Sequence, residues 1–225
     1  MISEKAGEEG APVILPHYAI GDSLGGSQDW FADRWMHIGG CAAVTACELC
    51  AYLARYRGYE NLCPFDPAAA AREDFLAFGM TMKPYLRPRP SGVNKTEIFL
   101  EGFGAYLRDR GETGLSLSAL SGVTDGPAAR VALRERLDAG MPVPALTLMH
   151  RDREFADFCW HWYLINGYED TPEGFFVTAV TYGESHRLDF TRLWDTGRMP
   201  RGGLVLCREK RDEKPLGPSG RDEHV

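Results

Sequence analysis

Along this chain the spacing of apolar positions changes character near Pro142, from helical runs to short strand-like ones. "CAAVTACELCAYLA" is small or apolar almost all the way round, which predicts a buried helix from Cys41 to Arg57. Gly58 suits the left-handed position that ends it, and two arginines in its last turn complement the dipole. "DPAAAAREDFLAF" (66 to 78) predicts a second helix, capped by Asp66 with Pro67 in its first turn. "NKTEIFLEGFGAYLRDRG" (94 to 111) opens with Asn94 and Glu97 as a capping box, and "GPAARVALRERLDAG" (126 to 140) supplies a further helix. Beyond Pro142 come strands at 143 to 150, 161 to 168, 175 to 182, 186 to 190 and 202 to 207, with Gly, Pro, Asp and Glu between them.

Helices first and strands second predict an α+β fold, and the short gaps make the sheet antiparallel. Residues 1 to 27 read as a loop-rich lead-in with one strand at "PVIL". The segment 209 to 225 lacks apolar residues to bury and is expected to be a disordered tail, leaving 1 to 208 as a single domain. At 225 residues the chain can bury one sizeable core.

Charge narrows the partners. A net charge of −7 argues against a nucleic-acid partner, and the basic clusters "RPRP" (87 to 90) and "REKR" (208 to 211) are short enough to read as solvated surface. No apolar run of membrane-spanning length and no signal peptide is visible, so no membrane partner and a cytoplasmic location are expected. In that compartment the 6 cysteines are expected to be reduced thiols.

Three of them lie in "GGCAAVTACELC". Cys47 and Cys50 have CxxC spacing, but both fall inside the helix and no second ligand pair follows, so packing explains them better than zinc or redox chemistry. No metal or cofactor is expected. Cys41 differs because it occupies the first helical turn directly after Gly39 and Gly40, where free N–H groups and the dipole favour a thiolate. Such a thiolate is a nucleophile whose surrounding N–H groups can hold an oxyanion. His161, opening the strand "HWYLINGY", is the candidate general base. If the strands 161 to 168 and 175 to 182 pair about a turn near Thr171, residue 161 faces Thr181, whose hydroxyl would orient the imidazole. Glu184 and Asp170 are the charged alternatives, and Trp160 or Trp162 is expected to wall the cleft.

"GGCAAVTAC", "CWHWYLINGYED" and "SQDWF" together resemble the papain-like cysteine peptidase superfamily, most closely its C39-like branch of small bacterial proteins, over about residues 20 to 207. The resemblance implies a papain-like fold, cleavage of a peptide or small amide substrate through a Cys41–His161 acyl-enzyme, and Gln28 as a side-chain oxyanion donor. Two departures are visible. Gln28 lies 13 positions before Cys41, a longer gap than the family has, so that His37 or Asp29 could occupy its place, and Thr181 stands where the family has Asn or Asp. The same dyad would serve an acyltransferase or transglutaminase-like enzyme, and a weakened triad would suit a binding module.

Overall fold

The computed structural model describes residues 11–210. In chain order these form β1 (Val13–Ile14), β2 (Ala19–Ile20), β3 (Ser23–Leu24), α1 (Arg34–Gly39), α2 (Cys41–Arg57), α3 (Arg72–Met82), α4 (Thr96–Asp109) and β4 (Leu115–Ser121). There follow α5 (Gly126–Asp138), β5 (Val143–Thr147), β6 (His161–Thr171), β7 (Gly174–Thr181), β8 (Glu184–Asp189), α6 (Phe190–Trp194) and β9 (Gly202–Glu209). A 7-stranded antiparallel sheet runs β4-β9-β5-β6-β7-β8, and β1 pairs with β6 at Val13↔Tyr168, beyond the point where β5 stops. The architecture is therefore mixed α+β with a large antiparallel sheet.

Strand β6 is the axis of the molecule. Its first eight residues are all buried, because alternate side chains enter two different cores. Trp162 and Leu164 join Leu49, Leu53 and Phe99 of the α2 and α4 layer, with the Phe99 and Trp162 rings stacked at 4.5 Å. Tyr163 and Ile165 join Leu133, Leu137, Phe190 and Trp194 of α5 and α6 on the other face. The sequence pattern anticipated the helical layer over the sheet but not the second layer beneath it.

Helix α2 spans the expected residues and ends at Gly58, whose φ of 80° is the left-handed value. Elsewhere tertiary context overrode propensity. The expected helix at 66 to 78 begins only at Arg72, since the Asp66 carboxylate accepts from the Ala68 N–H at 2.8 Å and Arg55 donates to the Pro67 carbonyl at 2.7 Å, holding the alanines in a turn. Ala68, Ala69 and Ala71 are exposed, so no packing rewards a helix there. Several elements went unpredicted: the short strands β2 and β3, the helices α1 and α6, and β4, whose alternation "LSLSALS" forms the sheet edge between two helices. Of the expected tail, 209 to 225, Glu209 belongs instead to β9, and residues 211–225 lie outside the described part.

Candidate active site

Helices α1 and α2 are consecutive and joined at Gly40 alone. The Gly40 N–H closes α1 on the Met36 carbonyl at 2.9 Å, and the Gly40 carbonyl accepts the first bond of α2 from Val44 at 2.9 Å. A Cβ at Gly40 would collide with the Met36 carbonyl, so the glycine is required by the helix junction and not for substrate access. Gly39 faces the Arg89 carbonyl and Pro88, with 3.5 Å and 3.7 Å left for a Cβ. Cys41 thus sits at the start of a buried helix, with a loop packed over the turn before it.

Strand β6 opens with His161 and brings the residue after it to the same place. The main-chain amide of Trp162, with those of Ala42 and Cys41 itself, lies near enough to the Cys41 sulfur to favour its thiolate. His161 Nε2 lies 2.7 Å from Thr181 Oγ1. The contact is the expected one, but the register that makes it is not. Pairing runs Thr171↔Gly174 to Leu164↔Val180, with a bulge between Ile165 and Gly167. Continued by one pair, it sets Thr181 opposite Tyr163, so His161 meets Thr181 as a diagonal neighbour two positions off on the same face. Glu184 is exposed on β8, and Asp170 is bound by Arg130 and Arg134. Neither orients the imidazole.

Tyr182 was not foreseen. Its ring lies parallel to the imidazole, 4.5 Å away at 4°, and its hydroxyl is 3.3 Å from Nδ1. With the planes parallel, the hydroxyl approaches from above the ring and leaves the in-plane Nδ1 lone pair open. Trp160 (φ 54°) and Tyr182 (φ 54°) are the described non-glycine residues with positive φ, and they bracket His161 and Thr181. Backbone strain of this kind, about 1–3 kcal/mol per residue, persists where surrounding structure demands it and gathers at functional sites. Trp160 permits a clean test. Trp160→Ala and Trp160→Gly remove the same half-exposed ring, so chemical unfolding should find the glycine variant the more stable by about 1 kcal/mol, the reverse of the usual order.

The segment carrying Gln28 is fastened from two sides. Glu48, seven residues after Cys41 and therefore on the same face of α2, accepts from the Gly26 N–H at 2.6 Å and pairs with His17 Nε2 at 2.8 Å. On the sheet side, Leu24 donates to the Gly183 carbonyl at 2.8 Å, next to Tyr182. Gly25 (φ 72°) and Gly26 have no room for a Cβ against Glu48, His17 and Phe75. The chain between Gln28 and Cys41 is taken up by a 3-10 turn, Gln28–Trp30, and by α1. Gln28 Oε1 is buried without a hydrogen-bond partner among the described residues, and Asp29 lies within electrostatic reach of Tyr182. His37 is exposed on α1.

Electrostatics correct one expectation. Burial pushes the Cys41 thiol up, against the pull of the three amides, and burial followed by the His186 neighbour pushes His161 down to about 4. Desolvation outweighs the helix terminus, so both groups rest neutral and a thiolate is not preformed. Cys47 and Cys50 are fully buried in the α2 core, where burial raises them well above the usual thiol range.

Access to Cys41 is through a cleft of about 630 Å³ lined by Ile38, Gly39, Cys41, Arg89 and Trp160 among others. Trp160 walls it, whereas Trp162 is interior and donates to the Val93 carbonyl at 2.5 Å. The sequence held an unused signal for the fastening: a glutamate inside an otherwise apolar buried helix demands partners. Nothing local in it marks Tyr182, which depends on the β7–β8 turn. Against protein-family models, curated proteins and solved structures the chain gives no match. Among the described residues no helix is long and apolar enough to cross a membrane.

Proposed function

We propose that this protein is a thiol hydrolase of papain-like architecture that cleaves a peptide or other amide bond through Cys41 and His161. The observation that supports the reading is that Cys41 stands in the first turn of α2 beside the main-chain amide of Trp162, the residue that follows His161, while His161 itself is held at Nε2 by Thr181. With Nε2–H donated to Thr181, Nδ1 is the free base. The Cys41 proton passes to Nδ1 as sulfur attacks the amide carbon, and the C=O π pair moves onto oxygen. The main-chain N–H of Cys41 and the Gln28 amide receive that oxyanion. On collapse the C–N bond breaks, the amine leaves with the Nδ1 proton, and water then hydrolyses the thioester by the same base. Because both partners rest neutral, proton transfer accompanies attack instead of preceding it.

Mass spectrometry after limiting iodoacetamide or the epoxide E-64 tests the proposal. Cys41 is expected to be labelled ahead of the other thiols, with the preference lost in His161→Ala. Equal, slow reaction of all six thiols would remove the enzyme and favour the second reading, a binding module that keeps the fold with a weakened dyad. The burial that holds Cys41 and His161 neutral is what speaks for that alternative.

A further inference from the structure

The cleft over Cys41 continues into a second, wider groove of about 990 Å³ lined by Trp35, Lys83, Arg87, Pro88, Arg89 and Pro90. Arg89 and Pro90 belong to both. Arg57, Arg130, Arg134, Arg151, Arg187 and Arg192 pair with carboxylates. Arg87 and Arg89 are exposed and have no acidic partner among the described residues, while their neighbour Lys83 is engaged by Asp33 at 2.6 Å.

The backbone that carries the two arginines is also held in place. Each arginine precedes a proline, which confines its own backbone to extended conformations. Pro88 between them is buried, and Arg87 and Arg89 are exposed on either side of it, as in an extended strip that turns alternate residues outward. The strip is fixed at one end against Gly39, two residues before Cys41, and at the other by the Trp162 indole bond to Val93, one residue after His161. Exposed apolar surface completes the groove: Trp35 (48%), Ile38 (61%) and Trp160 (49%). Cations on a constrained backbone beside exposed aromatic surface suit a ligand with one carboxylate and an apolar body.

We propose that this groove selects peptides bearing a carboxylate near the bond presented to Cys41, received by Arg87 and Arg89. The proposal rests on the reading of Cys41 as the nucleophile for its functional meaning, but the recognition itself is measurable without turnover. Three pools of acetylated hexapeptides, randomised at five positions, carry glutamate with an amidated end, glutamine with an amidated end, or glutamine with a free carboxyl end. Calorimetry and tryptophan fluorescence report their binding to the Cys41→Ala protein.

At least one carboxylate pool should bind about tenfold tighter than the neutral one, an advantage that shrinks with salt and disappears in Arg87→Gln/Arg89→Gln. The glutamate and free-end pools tell a side chain from a chain terminus as the source. Equal binding of all three pools, or a carboxylate preference that survives the double variant, overturns the proposal. A preference that is present while Cys41 of the intact protein proves unreactive overturns the hydrolase reading and leaves the carboxylate site standing.

Discussion

Glu48→Ala should cost this protein about 3–5 kcal/mol, the range for removing one partner of a buried pair. The Glu48 and His17 side chains are only 5% and 2% exposed, so no solvent replaces what the substitution takes away. The loss has three parts. The Gly26 N–H, now bonded at 2.6 Å, is left unpaired in the interior. His17 keeps a buried ring whose Nδ1 already has no partner among the described residues. The third is the cavity left between α2 and the N-terminal arm, which Gly25 and Gly26 cannot fill because their backbones already touch Glu48 and Phe75. Urea unfolding measures the total, and Glu48→Gln, whose single carbonyl oxygen keeps an acceptor for the Gly26 N–H and whose bulk fills the cavity, should recover part of it. A loss below about 1 kcal/mol for the alanine variant would mean that the pair is not a buried one in solution.

The same substitution has a local consequence. The arm that Glu48 fastens leads directly into Gln28, so its release would free the proposed oxyanion donor while leaving the sulfur, the imidazole and Thr181 where they are. Folded Glu48→Ala protein, isolated well below its melting point, should therefore keep an alkylatable Cys41 and lose amide cleavage. A defect in stability alone would lower both together.

These two sites differ in how far the sequence discloses them. Cys41 and His161 are legible because each stands at a boundary that local physics announces: a glycine-flanked helix start, and the first residue of an apolar strand. Thr181 was reached through a hairpin register wrong by two residues, an even error that keeps both side chains on one face and so leaves the contact intact. Tyr182 could not be reached, since its place over the imidazole depends on positive φ values that a tyrosine does not advertise. The groove arginines read as solvated surface and are exposed; what the sequence does not show is their place beside the cleft, which depends on a long-range neighbour, Gly39 of α1. The burial that governs the charge of Cys41 and His161 was not legible for a related reason. A helix terminus is a local feature, whereas desolvation is the sum of everything packed around it.

That charge state sets the second large effect, an acid instability carried by one residue. His161 is held near 4 in the folded protein against an ordinary value of 6.5. As pH falls from 6.5, the unfolded chain takes up a proton that the folded protein refuses until about 4, so folding loses stability across that window and nothing further below it. At 1.36 kcal/mol for each unit, the loss is about 3 kcal/mol. His161→Gln removes the titration, so the variant's free energy of unfolding relative to wild type should improve by that amount between pH 7 and pH 4. Subtracting the two curves cancels the carboxylates and the remaining histidines. The sign of the difference is also a statement about mechanism. Were Cys41 and His161 an ion pair at rest, the imidazole would be raised instead of lowered, and its contribution would be present at acid pH and lost as pH rose. An advantage for His161→Gln that grows toward pH 4 therefore identifies a neutral dyad, whose base stays available in acid and whose proton moves only when a substrate carbonyl is there to receive the sulfur.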